Sequence, residues 1–241
     1  MELSLVLDKI NSKDFTFMDS KFKHLYTDDY FDDRFGNNPL RVASFKLESE
    51  FIYKYVKSGK LMDVGCATGE FSKIIKWPGD TCGIEISDTA IEIAKSNGVS
   101  FSHDLTDVIN YYDVIIFRGT IQHFENPFNM IKSAFESLKP GGYVFFLATP
   151  NADSIYYKLW GTLPSLDPKM NFWIPGSNEL INVLKNFGFN HIESRYPYLD
   201  SPYSKPIMDH IKFLVKLFLP SKKIQFPFWK SVTEHCFIKP L

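Results

Sequence analysis

The spacing of apolar residues changes along the chain. Residues 42–57 carry apolar side chains at helical spacing, and the Ser-Gly pair that follows should end this helix. Beyond it, short apolar runs that predict strands alternate with segments that predict helices. The strands are predicted at 60–64, 81–86, 99–102, 113–117 and 142–149, and the helices at 69–76, 89–96 and 127–138. This alternation favours a Rossmann-like α/β fold with a mostly parallel sheet and helices on both faces.

Two segments interrupt the alternation. Residues 150–176 are rich in proline, glycine and aromatic residues, and residues 197–230 separate the last two predicted strands. Both are expected to be insertions, the first acting as a lid. The helix between them should begin with Ser177 as its N-cap and stop at Gly188. The final predicted strands, 189–196 and 232–239, bring the sheet to seven.

The beginning of the chain has a different composition. Residues 1–41 combine aromatic and charged side chains, and we expect an N-terminal helical cover there over a domain of residues 42–241. At 241 residues, the chain suits one α/β domain with decorations better than two full domains.

Composition excludes several classes of protein. The net charge is −1 with no basic stripe, which argues against a nucleic-acid partner. The three cysteines are scattered and form no CxxC pair, so neither a disulfide framework nor a zinc site is expected. This cysteine usage fits the cytoplasm, and residues 1–13 lack the basic start of a secretory signal.

Residues 61–70 (LMDVGCATGE) lie between a predicted strand and a predicted helix. Gly65 permits a tight turn, and small residues at 67 and 69 let backbone approach a ligand. Glu85 closes the second strand, where a carboxylate can accept hydrogen bonds from ribose hydroxyls. A dinucleotide site requires G-x-G-x-x-G, whereas this loop reads Gly65-x-x-x-Gly69. Asp63 disfavours phosphate and tolerates an ammonium group, which favours S-adenosyl-L-methionine (SAM) over NAD.

Five motifs in order resemble the class I SAM-dependent methyltransferases. The closest likeness is to the group that includes ubiquinone-pathway O-methyltransferases and glycan-modifying methyltransferases, and it covers about residues 41–190. The motifs are Asp63-x-Gly65-x-x-x-Gly69, Glu85, His103-Asp104-Leu105, residues 118–127 (RGTIQHFENP) and residues 138–142 (LKPGG).

The resemblance implies a cofactor role for residues in each motif. Loop residues would line the methionine and ribose portions, Glu85 would hold the ribose, and Asp104 would accept from the adenine amino group. The implied cofactor-binding residues are Arg41, Asp63, Gly65, Cys66, Ala67, Gly69, Glu85, Ile86, His103, Asp104, Leu105, Phe117, Arg118 and Gly119.

One position departs from the family pattern. Relatives often read Glu-His where this chain reads Gln122-His123, and that glutamate can belong to a divalent-metal site. Because an amide is a poorer ligand than a carboxylate for a hard cation, no metal is expected here.

His123 is the catalytic candidate. It follows the strand that should end beside the methionine portion, and histidine titrates in the range that suits a general base for an alcohol acceptor. The alternative is that His123 fixes its loop or lines the pocket without moving a proton.

Residues 204–219 predict a helix with a narrow polar stripe at Lys205, Asp209, Lys212 and Lys216. Such a helix can meet a membrane surface or a partner subunit, or it can be buried against its own domain with one wet edge. Its strongly apolar stretch, residues 207–219, is too short to be expected to span a bilayer.

These patterns predict a cytoplasmic SAM-dependent methyltransferase acting on a small molecule or glycan precursor, with oxygen as the expected methylated atom. The glycan interpretation also rests on the aromatic residues of the lid, since aromatic faces stack on sugars. A quinone or other lipophilic ring is the alternative acceptor, and a non-catalytic SAM-binding protein is the alternative of another class. The oligomeric state is left open.

Overall fold

The computed structural model describes residues 38–101, 105–164, 166, 170–221 and 223–241. Its centre is a six-stranded sheet in the order β2-β1-β3-β4-β6-β5. The strands are β1 (Leu61–Val64), β2 (Thr81–Ile84), β3 (Tyr112–Arg118), β4 (Leu138–Pro150), β5 (Asn190–Arg195) and β6 (Val232–Ile238). The helices are α1 (Pro39–Tyr55), α2 (Glu70–Ile75), α3 (Asp88–Ser96), α4 (Pro127–Ser137), α5 (Ile155–Trp160), α6 (Ser177–Asn186) and α7 (Pro206–Phe218), with a short 3₁₀ helix at Ile121–His123.

Both faces of the central strands are buried, as a parallel sheet between helix layers requires. Alternate residues of β3 enter opposite cores. Ile115 and Phe117 pack with α4 and α6, whereas Val114 and Ile116 pack with α1 and α2. Strands β2, β1, β3 and β4 run parallel, and the antiparallel β6 lies between β4 and β5. The Rossmann-like α/β class is therefore confirmed.

The prediction of seven strands is wrong by one for the described residues. The segment predicted as a strand at 99–102 contributes a single parallel bridge between Ser100 and Cys82. Ser100 donates to Thr81 O at 2.9 Å and accepts from Gly83 N at 2.8 Å. Both backbone groups of this one residue bond to β2, and no other described residue of this segment joins the ladder.

Three local details also differ from what the sequence indicates. The strand predicted at 142–149 begins earlier, because residues 138–142 (LKPGG) already belong to the long strand β4, next to a register shift against β3. Helix α5 was not predicted within 150–176. The N-cap of α6 is Gly176 rather than Ser177, because the Ser177 hydroxyl is within hydrogen-bond distance of Tyr196 and His235 instead.

The predicted cover lies almost entirely outside the described residues. The part that is described belongs to α1, whose N-cap Asn38 accepts from Leu40 N at 3.0 Å. The predicted boundary at residue 41 thus falls in the first turn of this helix. The division into a cover and a core domain stays a prediction.

The two predicted insertions pack on each other at the carboxyl edge of the sheet. Tyr156 of α5 is fully buried and contacts Phe226, which leads back towards β6. In the part of the chain that the structure describes, no helix combines the length and the apolar character needed to cross a membrane.

Candidate functional site

The turn after β1 has an unusual backbone. Gly65, Ala67 and Gly69 have φ angles of 75°, 49° and 70°, so three of five consecutive residues are left-handed. A Cβ on Gly65 would lie 2.4 Å from Thr120 Cγ2, which leaves no room for a side chain. Left-handed alanine is strained and persists only where its surroundings hold it. This strained turn presents backbone, rather than side chains, at the carboxyl end of the sheet.

Glu85 holds the turn. Its carboxylate accepts from Ala67 N at 2.9 Å, from Ile86 N at 2.7 Å and from Ser87 N at 3.0 Å. Burial raises the pKa of Glu85, and the three N–H groups oppose that rise. A carboxylate has about four acceptor positions, so three backbone bonds leave capacity for a hydroxyl of a bound ligand. Glu85 therefore fits a ribose, but it also has a structural role that the sequence did not indicate.

Asp63 is a buried carboxyl on β1. No hydrogen bond to its Oδ1 atom is found among the described residues. Burial raises the pKa of Asp63 from 3.8 to about 7, and the nearby Arg118 lowers it in part. A buried acceptor of this kind fits a cationic amine, because the amine would donate to the orphaned oxygen and favour its charged form.

Two arginines lie near each other, Arg41 on α1 and Arg118 at the end of β3, and the charge of Arg118 also acts on Asp63. Arg118 forms a two-pronged ion pair with the buried Glu48, at 2.5 and 3.1 Å. Arg41 donates to Glu70 at 3.1 Å, and the Phe45 ring lies 4.2 Å from the Arg118 guanidinium carbon and 5.0 Å from that of Arg41. Burial and repulsion by Arg118 lower the pKa of Arg41. Two guanidinium groups beside the same phenylalanine ring suit the carboxylate of an amino-acid ligand.

The other predicted cofactor residues separate into three groups. The side chains of Cys66, Leu105 and Phe117 are buried in the hydrophobic cores, so only their backbone is available to a ligand. Ile86 and Gly119 are half-buried at the edge of the sheet. His103 and Asp104 lie outside the described residues.

His123 ends the short 3₁₀ helix and is half-buried. Its Nδ1 lies 2.6 Å from Met170 O, which assigns the proton to Nδ1, since a carbonyl can only accept. Nε2 is then the basic nitrogen, 3.4 Å from the amide nitrogen of Gln122. This tautomer suits a general base.

A cavity of about 370 Å³ adjoins Arg118. It lies between α1, the end of β4 and the loops that flank α7, and its wall is mostly apolar. Two Arg–Glu pairs line it: Arg118 with Glu48, and Arg195 with Glu234 at 3.0 Å. Its size is that of a small-molecule site. His123 is not among the residues that line it.

Sequence reasoning missed Glu48, Arg195 and Glu234. Burial, and then repulsion by Glu48, raise the pKa of Glu234 from 4.5 to about 7, while the two arginines lower it in part. One signal was available in the sequence: Glu48 interrupts the apolar face that Phe45 and Phe51 define on α1. Glu234 gave no such signal, because its neighbours in the sequence, Thr233 and His235, are also polar.

Within the ranges that the structure describes, no three His, Cys, Asp or Glu side chains are grouped so as to hold a metal ion. Metal-independent activity stays a prediction.

The strand order, the left-handed turn after β1 and the carboxylate that closes β2 define the Rossmann-like domain of the class I methyltransferases. A family model described as a methyltransferase domain matches residues 43–194, more than half of the chain, and the chain belongs to that family. The family predicted from the sequence motifs is therefore confirmed.

Relatives and solved structures agree with this assignment. The ubiquinone biosynthesis O-methyltransferase of Hydrogenovibrio crunogenus is 28% identical over 125 residues, which are 45% of this chain and 48% of that protein. The chain thus spans about half the length of the curated relatives it matches.

Two solved structures share the fold. A SAM-dependent methyltransferase from Thermotoga maritima, described as a possible histamine N-methyltransferase, superposes with a TM-score of 0.61 and 17% identity, covering 92% of this chain and all of that one. The phosphoethanolamine N-methyltransferase 2 of Haemonchus contortus, solved with phosphomonomethylethanolamine and S-adenosylhomocysteine, has a TM-score of 0.63 and 18% identity. The match covers 95% of this chain and 61% of the Haemonchus contortus chain.

Proposed function

We propose that this chain is a SAM-dependent methyltransferase that transfers a methyl group to a hydroxyl of a small molecule or glycan precursor. The observation that carries the proposal is that the cavity meets the candidate cofactor edge at Arg118. An acceptor in this cavity would lie beside Arg118, the arginine whose charge lowers the pKa of Asp63. The family match and the relative named as an O-methyltransferase support the reaction and the methylated atom.

S-adenosylmethionine supplies an electrophilic methyl group when it is bound. The residues of this chain divide the remaining tasks. Glu85 would accept from the ribose, Asp63 would accept from the amine, and Arg41 and Arg118 would bind the carboxylate. The cavity would hold the acceptor, and holding the two reactants together would supply much of the rate.

The acceptor hydroxyl must also lose its proton. His123 has the tautomer of a base, and Glu234 has a pKa near neutrality in the cavity wall. A carboxyl with a raised pKa in a cleft is a recognised candidate for proton transfer. His123 remains our catalytic prediction, and Glu234 is the residue against which it must be tested.

A lipophilic ring compound, such as a quinone precursor, is a second candidate acceptor. The mostly apolar wall of the cavity favours it, with Leu163, Pro202 and Phe228 among the lining residues. The two Arg–Glu pairs favour instead an acceptor with polar groups, as a glycan precursor would have.

Calorimetry with SAM, S-adenosylhomocysteine and NADH tests the cofactor. We expect both SAM compounds to bind and NADH to fail, and binding of NADH alone would contradict the proposal. Transfer of a labelled methyl group to sugar nucleotides and to hydroxylated aromatic rings then distinguishes the two acceptors. Tight SAM binding with no transfer to either class would favour a non-catalytic SAM-binding protein.

A further inference from the structure

Helix α7 has its polar face inside the protein and its apolar face outside. Asp209 and Lys216, two of the four polar residues of the predicted stripe, are only 2% and 3% exposed. Across the helix, Ile207 is 80% exposed and Phe218 is 82% exposed. This is the reverse of the usual orientation of an amphipathic helix on a protein surface. Of the alternatives left open by the sequence, burial of the whole helix against its own domain with one wet edge does not describe these residues.

Specific polar contacts fix this orientation. Asp209 accepts from Lys205 N at 2.7 Å and from the Tyr198 hydroxyl at 3.2 Å. The Lys216 ammonium donates to the Tyr156 hydroxyl at 2.7 Å and to Ile224 O at 2.8 Å. Turning the apolar face inward would break these four hydrogen bonds and withdraw the ammonium from the buried Tyr156 hydroxyl, which is costly.

The exposed face is continuous along the helix. Its residues follow helical spacing, so they form one stripe rather than scattered contacts. They are Ile207, Met208, Ile211, Leu214, Phe218 and Leu219. A contiguous exposed apolar surface of this kind marks a binding surface.

The charge around this stripe identifies what it fits. Residues 204–230 contain six lysines and a single acidic residue, Asp209, which is buried. Lys205, Lys223 and Lys230 are exposed. An apolar face bordered by lysines complements a bilayer surface with anionic headgroups, where the apolar side chains enter the acyl boundary and the ammonium groups meet phosphate.

We propose that α7 docks this protein on the surface of an anionic lipid bilayer. The helix would lie in the interface with its apolar stripe inserted. Phe213, on the protein side of α7, stacks on Phe228 of the cavity wall with ring centroids 4.4 Å apart. Membrane docking therefore places the cavity close to the bilayer. That consequence for a lipophilic acceptor rests on the proposed function, whereas the docking itself does not.

Vesicle co-sedimentation without SAM or acceptor tests the docking. We expect the full chain to bind vesicles of phosphatidylcholine and phosphatidylglycerol in equal parts, and to bind pure phosphatidylcholine on the order of tenfold more weakly. Added salt should weaken the first interaction, because it screens the lysines. Failure to bind either vesicle would overturn the proposal, and it would leave the proposed methyl transfer unaffected.

Matched variants locate the contact. Ile207→Glu combined with Phe218→Glu should weaken vesicle binding by about tenfold or more, because two apolar side chains can then no longer insert into the bilayer. Ile109→Glu is the control, since Ile109 is 78% exposed and lies outside this surface. Equal loss in both proteins would contradict the assignment to α7. Circular dichroism and SAM calorimetry on each variant establish that it is folded.

A second measurement follows the fluorescence of a tryptophan that the wild-type chain already has. Trp229 is exposed and donates to His210 of α7 at 3.3 Å. Vesicles with brominated acyl chains should quench its fluorescence, and Trp229→Phe should remove most of the quenching. Absence of quenching overturns the proposal. So does a dimer in light scattering that Ile207→Glu dissociates, because a second copy would then cover the stripe.

Discussion

The turn at 65–69 and the cavity beside Arg118 lie along the same edge of the sheet but are built differently. The turn is made of neighbouring residues, and Glu85, its principal side-chain partner, closes the next strand. The cavity collects ion pairs from α1, β3, β5 and β6, so its residues come from distant parts of the sequence, with Glu48 on α1 and Glu234 on β6. Local motifs can therefore identify the cofactor side, whereas only the folded chain defines the acceptor side.

The largest expected effect is on turnover, and it shows which residue takes the proton of the acceptor hydroxyl. His123→Asn keeps hydrogen bonding but removes the basic nitrogen, so turnover should fall by about 10²–10⁴-fold if His123 is the base. SAM affinity should change little. Glu234→Gln, measured with the same acceptor, is the paired variant. Near-normal turnover in His123→Asn, together with loss in Glu234→Gln, would move the proton transfer to the cavity side.

Glu85→Gln tests the cofactor side alone. The substitution removes the charge and replaces one of two accepting oxygens with a donor, so a backbone hydrogen bond that holds the turn is lost together with the charged acceptor. SAM affinity should fall by about 1.5–3 kcal/mol, roughly 10–100-fold. Glu92→Gln is the control, since Glu92 makes an exposed ion pair with Lys95 on α3. If calorimetry gives wild-type affinity for the folded Glu85→Gln protein, the ribose assignment is incorrect.

Gly65→Ala tests whether the turn needs space as well as a left-handed backbone. The added Cβ would meet Thr120, so we expect a loss of unfolding free energy of about 1–3 kcal/mol in denaturant titrations. Gly98→Ala is the matched control, because Gly98 has a φ of 88° but open space around it. A similar loss in both variants would attribute the whole effect to backbone strain.

Asp63 should make SAM binding depend on pH. Its pKa of about 7 means that the folded chain without ligand holds a proton that the unfolded chain has released, so this carboxyl lowers stability as pH rises from about 4 to about 7. A cationic amine requires the ionised form, so affinity should weaken by about tenfold from pH 7 to pH 5.5. Asp63→Asn should bind with little pH dependence. A pH-dependent affinity that persists in this variant would point to another group.

The smallest expected effect is that of a chelator. Because Gln122 stands where relatives often carry glutamate, methyl transfer should continue unchanged in EDTA. Activity that disappears in EDTA and returns specifically with magnesium or manganese would show that the acceptor side contains a metal site after all.

Residue pattern was sufficient for the fold and for part of the site. The Gly65–Gly69 spacing and Glu85 follow successive strands of the sequence, and the structure brings Glu85 against the turn. The orientation of α7 was not predictable in the same way, since its amphipathic pattern shows two faces but not which one is inside. Lys216 is buried only because Tyr156 and Ile224 provide partners from distant segments. Glu234 likewise has a raised pKa because the fold buries it near Glu48.

The position of β6 has a consequence for how the chain folds during synthesis. β6 separates β4 from β5 in the sheet, although it follows both in the sequence. Residues 190–195 consequently have no neighbouring strand in this sheet until residues 232–238 have left the ribosome. The growing chain must tolerate an unpaired β4 edge during that interval, when exposed strand edges favour association with other chains. A chaperone that binds nascent chains would therefore find its longest opportunity between the emergence of β4 and that of β6.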